Sequence, residues 1–206
     1  MNILFIALIV IVFASGFFDA IPWAFNIPAL IALIVIWAIV IYNSLVQGRN
    51  QVKEGWSDID VQLKRRFDLI PNLVNTVKGS TNFETSTLEK VIQARSQGMG
   101  AKTPQEVGVA DIAMKSALTG FFALAESYPD LKSNQNFIAL QNELSDTENK
   151  IQAARRFYNS VVMNYNTNIQ TIPTNIFAKM FSFNESDFFE LGENESEARD
   201  PVKVSF

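Results

Sequence analysis

Two long apolar runs lie near the start of the chain. The first spans Ile3–Phe18 and the second spans Ile27–Val46, and the segment between them contains Asp19, Pro22 and Trp23. A helix rises 1.5 Å per residue, so the second run reaches about 30 Å and matches the hydrocarbon thickness of a bilayer. The first reaches only about 24–27 Å, which is short but feasible with local thinning. This pattern favours a hairpin of two membrane helices joined by a tight turn.

Two other interpretations of the first run stay open. It has the apolar stretch and small residues of a signal peptide ending near residues 14–16, although no Lys or Arg precedes it. Alternatively, it lies along the membrane surface and only the second run spans the bilayer. Aromatic side chains favour membrane–water interfaces, so we expect Trp23, Trp37 and Tyr42 to anchor the chain there.

After this apolar head, apolar residues recur at intervals of three and four, as on one face of a helix. The first stripe runs from Val52 to Val77 and is interrupted by Pro71, which should kink the helix. Thr81 and Glu84 have the spacing of a capping box, which predicts that the helix restarts there.

Three further helices are predicted along the remainder of the body. Thr103 and Glu106 flank Pro104 as the N-terminal cap of a second body helix. This helix should end near Ser127. The third helix is predicted from about residues 133–136 to Pro173, and a short helix over 174–181 should follow it.

Long amphipathic helices joined by short turns bury their apolar stripes by packing against one another. No segment shows the two-residue alternation of a strand. The sequence therefore predicts an all-α protein, with an N-terminal membrane helix or helical hairpin, then an antiparallel bundle of three long helices plus a short C-terminal helix. The predicted domains are an anchor at 1–48, a helical bundle at 49–183 and an acidic, Phe-containing tail at 184–206.

Composition narrows the range of functions. The 206 residues include no Cys and no His, which removes disulfides, thiol nucleophiles, the commonest metal ligand and the usual general base near neutral pH. The net charge of −4 lacks the electrostatic footprint of a nucleic-acid-binding protein. Phosphate-binding loops and nucleophile elbows are absent from the sequence. We therefore predict a protein without enzymatic activity, cofactor, metal site or nucleic-acid partner.

Several long and irregular stretches of the body resemble the LemA family. They include Gln62–Val74, Ala125–Leu131, Glu148–Asn159 and Ile172–Asn175, within a similarity that extends from Tyr42 to Phe206. The resemblance implies an N-terminally anchored helical bundle of a bacterial envelope, and it implies no reaction. It also suggests a loose association with membrane proteases and envelope stress. The family pattern has one N-terminal span, whereas this chain has two apolar runs.

The matched stretches contain polar residues that we expect to form an interhelical network fixing the register of the bundle. Its predicted members are Asp68, Glu84, Arg95, Glu126, Glu148, Arg155 and Asn159. A metal site built from the three glutamates is the alternative, but helical di-metal sites normally pair Glu with His, which is absent here.

Two further clusters have competing interpretations. Lys64, Arg65 and Arg66 either contact lipid or an acidic partner, or form a solvated face in which Asp60 pairs with Lys64. The segment 185–200 carries seven acidic residues around Phe188 and Phe189. It is either a solvated tail or a segment whose Phe pair docks in a groove.

Flanking charge predicts the orientation and location of the body. Arg49 and Lys53 follow the second apolar run, and no Lys or Arg precedes it, so the positive-inside rule places the body in the cytoplasm, on a bacterial inner membrane. We expect a scaffold or interaction protein whose partners are the lipid bilayer and further copies of itself. The alternative is an adaptor or regulator of a membrane protease or envelope-stress system, with a membrane protein as its partner.

Overall fold

The computed structural model describes residues 2–17, 22–78 and 83–189. Within these ranges the chain is helical and contains no strand, which confirms the all-α prediction. The helices are α1 (Asn2–Phe17), α2 (Trp23–Lys78), α3 (Thr85–Gly100), α4 (Pro104–Ala125), α5 (Pro129–Lys132), α6 (Gln135–Gln170) and α7 (Thr174–Met180).

The described residues divide into two compact units. The first unit comprises the residues up to Gln51 together with Asn164–Ser186, and the second comprises Val52–Met163 together with Asp187 to Phe189. Helices α2 and α6 each contribute one part to either unit.

The first unit contains the apolar head of the chain. Helix α1 and the beginning of α2 cover the two apolar runs of the sequence, and most of the aliphatic side chains that the structure describes there are exposed. Ser15 of α1 donates a hydrogen bond to the Oδ1 atom of Asn26 in α2, at 3.3 Å. Asp19, predicted to lie in the turn between the runs, is outside the described residues. By length and composition alone, the start of α2 could cross a membrane.

The second unit encloses an apolar core to which several helices contribute. Ile70 and Val77 of α2 meet Val91 of α3, Phe121 of α4 and Leu144 of α6 in this core. Helix α4 is also long and apolar enough to cross a membrane, but it turns Met114 and Phe121 into the core. It therefore packs one face against the core of the second unit.

Helix boundaries follow local sequence signals with one exception, at the start of α3. Helix α2 includes Pro71 and continues to Lys78, and Ile70 and Leu73 are buried on either side of the proline. The predicted capping box is wrong in its register, since Glu84 is itself the N-cap residue of α3 and its side chain makes no capping hydrogen bond. Thr81, the other predicted member of that box, is outside the described residues.

The start signal of α4 is confirmed in full. The Thr103 hydroxyl accepts from the Glu106 backbone N–H at 3.2 Å, and the Glu106 carboxylate accepts from the Thr103 backbone N–H at 3.2 Å. Together they satisfy two of the donors that a helix start leaves unpaired. The short helix after Pro173 is also confirmed, as α7.

Candidate functional site

A buried cluster of charged side chains joins three helices of the second unit. The Arg66 Nη1 atom of α2 donates to Asp111 Oδ1 of α4 at 2.6 Å, and its Nη2 atom donates to Glu148 Oε2 of α6. Lys115 Nζ lies 2.9 Å from the second oxygen of Glu148. Because each charge faces a partner from another helix, the cluster fixes how α2, α4 and α6 pack.

Burial makes this pairing necessary. The side chain of Arg66 is 1% exposed and that of Asp111 is 0% exposed. The Asp111 Oδ2 atom lies 3.7 Å from Lys115 Nζ and 3.7 Å from Arg155 Nη1, close enough for charge attraction but beyond hydrogen-bond range. Three cations around two carboxylates leave the cluster with one excess positive charge.

The protonation of Glu148 depends on this surrounding. Burial raises the pKa of Glu148, but a hydrogen bond from Gln152 and the charges of Arg66 and Lys115 together outweigh it. The pKa of Glu148 therefore lies below its ordinary value of 4.5, and the carboxylate stays ionised at neutral pH. The chemical role of the cluster is therefore ion pairing, which holds α2, α4 and α6 together.

An open cavity of about 500 Å³ borders the cluster in the second unit. Its lining is mixed: Arg66, Lys115 and Glu148 contribute charge, while Leu118 and Phe122 contribute apolar surface. In the part of the chain that the structure describes, no group of three or more Asp or Glu residues could hold a metal ion.

The start of the acidic tail is held in a socket on the same unit. Phe189 is 2% exposed and packs against Trp56, with ring centroids 6.4 Å apart. The Arg155 guanidinium lies over the Phe189 ring at 5.1 Å, a cation–π geometry. Arg155 therefore touches both the charge cluster and the tail.

Side-chain amides and one hydroxyl fix the tail backbone. Asn159 donates to the Phe189 carbonyl oxygen at 3.0 Å and accepts from the Phe189 N–H at 2.9 Å. The Tyr158 hydroxyl donates to the Asp187 carbonyl oxygen at 2.8 Å. In the first unit, Asn166 forms the same two-bond clamp with Ser186, at 2.9 Å for each bond. All of these hydrogen bonds go to backbone atoms of the tail and none to its side chains.

The predicted network residues are placed differently from one another. Glu148 and Arg155 lie in the charge cluster and Asn159 clamps the tail. Arg95 donates to the Phe67 carbonyl oxygen at 2.8 Å, and Glu126 accepts from Lys132 at 2.7 Å on the surface. Asp68 and Glu84 are exposed, and Glu84 caps α3.

The basic triplet is divided by the structure. Arg66 points into the charge cluster, Arg65 pairs with Glu143 on the surface, and Lys64 is exposed. The two phenylalanines of the tail are likewise divided, since Phe189 is buried and Phe188 is exposed.

Two of the predicted membrane-anchor aromatics pack within the first unit. Trp37 contacts Phe177 of α7 edge-on at 6.2 Å between ring centroids. Tyr42 contacts Phe181 at 5.0 Å and Phe183 at 5.8 Å. Trp23 is the first residue of α2, and its side chain is outside the described part of the structure.

Sequence reasoning missed Asp111 and Lys115 and misjudged the environment of Arg66. The positions of Asp111 and Arg66 in the apolar stripes are a signal for their burial. Asp111 falls on the apolar face of α4 between Val107 and Met114, and Arg66 falls between the buried Leu63 and Ile70 of α2. Charged residues at core positions of two helices are expected to pair with each other.

The all-helical fold and the exposed apolar stretch at the beginning of α2 fit a membrane-associated helical protein. The chain belongs to the LemA family, whose model matches residues 55–206. This family is not known as an enzyme family.

Several relatives are similar in sequence to this chain over most of its length. Protein LemA of Metamycoplasma hominis is 29% identical over 157 residues, which cover 74% of this chain and 70% of the relative. Magnetosome protein MamQ 2 of Paramagnetospirillum magneticum is 24% identical over 175 residues, covering 72% of this chain and 64% of the relative. Magnetosome protein MamQ of Magnetospirillum gryphiswaldense is 22% identical over 192 residues, covering 81% and 70%.

Proposed function

We propose that this protein is a membrane-anchored scaffold or interaction protein of the bacterial cell envelope, without enzymatic activity, that assembles with further copies of itself. One observation carries the proposal. The beginning of α2 exposes its aliphatic side chains, whereas the second unit pairs its buried charges internally through Arg66, Asp111 and Glu148. The first feature suits lipid, and the second stiffens a helical body.

The anchor is tested on the full-length chain produced in bacteria. We expect it to remain in the membrane pellet after extraction with alkaline carbonate and to be released by mild detergent. Release by carbonate alone would contradict the anchor, because a spanning helix is held by the full burial of its apolar residues.

The orientation is tested with a protease and a tag at Phe206. In this proposal the body lies in the cytoplasm on the inner membrane, since Arg49 and Lys53 follow the apolar run. The tag should resist protease in intact spheroplasts and be cut after lysis. Cleavage without lysis would overturn the orientation.

The assembly state separates this proposal from a second one. The exposed Phe188 at the start of an acidic tail favours an adaptor or regulator of a membrane protease, because an aromatic side chain next to acids suits a basic, apolar groove on a partner. The measurement is the mass of the detergent-solubilised chain by light scattering. A uniform oligomer supports self-assembly, whereas a monomer that purifies with a protease supports the adaptor.

A further inference from the structure

Within the first unit, the end of α6 and the whole of α7 pack along α2 toward its N-terminus, and the chain after α7 returns toward Arg49. We call this path the excursion. The ring of Tyr165 covers Gly48, where an added Cβ would come within 2.9 Å of it, and Asn168 donates to the Ser44 hydroxyl at 3.3 Å. Further along, Phe177 reaches Trp37. The chain therefore approaches progressively earlier positions of α2 as it passes from α6 into α7.

The return path is equally well marked. Ser182 has φ 55°, a left-handed conformation that reverses the chain after α7. Phe183 then lies 5.8 Å from the Tyr42 ring and 5.0 Å beneath the Arg49 guanidinium. At 1.5 Å per residue, Trp37 lies about 18 Å from Arg49 along the α2 axis, so the excursion is deep.

The part of α2 beside this excursion belongs to the apolar run. Ile34, Ile36 and Ile39 are exposed around Trp37 and would face lipid in the anchored protein. Helix α7 thus packs against the apolar run of α2, and Arg49 is the first charged residue of α2 after that run.

Helix α7 has a second apolar face that the first unit does not cover. Thr174 and Ala178 are buried, whereas Ile176 is 59% exposed and Met180 is 66% exposed. Ile172, in the turn before α7, is 81% exposed. Ile176 and Met180 are four residues apart within α7 and therefore form one exposed stripe, and Lys179 is the cation next to it.

We propose that the segment 172–181 is a second membrane contact, which places its exposed stripe against the acyl chains of the leaflet nearest Arg49. The occupant of this face is phospholipid, because α7 packs beside the exposed apolar surface of α2 around Trp37. The long side chain of Lys179 can extend its ammonium group toward the lipid phosphates while its methylene stem stays in the apolar layer.

This inference rests on the anchor of the proposed function, and the test separates the two. The natural chain has no cysteine, so single-cysteine variants carry an environment-sensitive fluorophore at one defined position. The full-length variants Ile176→Cys, Ile34→Cys and Asn149→Cys are labelled and reconstituted into vesicles of phosphatidylcholine and phosphatidylglycerol. Ile34→Cys reports on the anchor, and Asn149→Cys reports on an exposed position of the second unit.

We expect the label on Ile176→Cys to be quenched at least twofold by lipids carrying a nitroxide on the acyl chain, and to resist aqueous iodide. The label on Asn149→Cys should respond in the opposite way. Quenching by lipid at Ile34→Cys but not at Ile176→Cys would overturn this inference and leave the anchor intact. Protection of Ile176→Cys from both quenchers would also overturn it, since protein and not lipid would then cover the stripe. Failure at both positions would overturn the anchor as well.

Discussion

The Arg66 guanidinium and the Asp111 carboxylate meet at 2.6 Å between α2 and α4, and both side chains are almost completely withdrawn from water. Each charge loses its hydration and recovers the loss only through its partners. Removing one member of the pair should therefore destabilise the fold by much more than the intact pair stabilises it.

The first prediction follows from this asymmetry. Arg66→Ala removes the hydrogen-bond donor of the buried Asp111 carboxylate and should lower the free energy of unfolding by about 3–5 kcal/mol. Urea unfolding of the detergent-solubilised chain, followed by circular dichroism, measures the change. Arg65→Ala is the matched control, because Arg65 and Glu143 are 44% and 39% exposed, and it should cost less than about 1 kcal/mol. Equal losses in the two variants would contradict the buried pair.

A double substitution tests whether the unpaired Asp111 carboxylate causes this loss. Arg66→Met combined with Asp111→Leu removes both charges and keeps apolar volume, so it should recover much of the stability lost in Arg66→Ala. The same urea titration measures this. If the double variant is no more stable than Arg66→Ala, then the unpaired Asp111 carboxylate is not the cause of the loss.

The second prediction concerns acid. Because the pKa of Glu148 is lowered in the folded chain, its contribution to stability is fully present above the ordinary value of 4.5 and is lost as the pH falls through the lower folded-state pKa. Glu148→Gln should therefore flatten the loss of stability below about pH 4.5. Thermal midpoints between pH 3 and pH 7 measure it. Asn149→Ala, at an exposed position of α6 that carries no ionisable group, should keep the natural slope, and identical slopes in both variants would exclude Glu148 as the source.

The sequence is sufficient to predict the helices but not the charge cluster, because helices depend on local signals and the cluster depends on tertiary packing. Stripe spacing and the capping signal at Thr103 are local, so they predict α4 and α6 closely. The partner of Arg66 is 45 residues away in α4 and depends on how helices pack. A burial signal existed in the stripe position of Arg66, but a run of three basic residues looks the same whether it is solvated or buried.

The tail socket illustrates a second limit of sequence reasoning. Phe188 and Phe189 are adjacent and chemically equal, so no pattern distinguishes the buried one from the exposed one. The choice is made by Asn159, whose amide bonds both polar backbone atoms of Phe189 and so fixes which ring faces Trp56. An asparagine that clamps a backbone has no sequence signature of its own.

The third prediction tests this clamp. Asn159→Ala removes two hydrogen bonds of about 1 kcal/mol each from the Phe189 backbone and should speed hydrogen exchange of its amide by at least about tenfold. Exchange followed by mass spectrometry of the tail peptide measures the rate. Asn149→Ala, an exposed asparagine on the same helix, should leave exchange of that peptide unchanged. Equal protection in both variants would show that Trp56 and Arg155 hold the tail without the clamp.

The fourth prediction compares two glycines inside helices. A Cβ at Gly55 would lie 3.3 Å from the Tyr158 Cα atom and 3.5 Å from the Phe157 ring, and a backbone atom cannot move away as a side chain can. Gly55→Ala should push α2 from α6 and lower the free energy of unfolding by about 1–3 kcal/mol. Nothing lies within 4 Å of a Cβ at Gly120 in α4, so Gly120→Ala should raise that free energy by about 0.5–1 kcal/mol through helix propensity alone. Urea unfolding measures both, and stabilisation by Gly55→Ala would mean that α2 and α6 are not in close contact at this position.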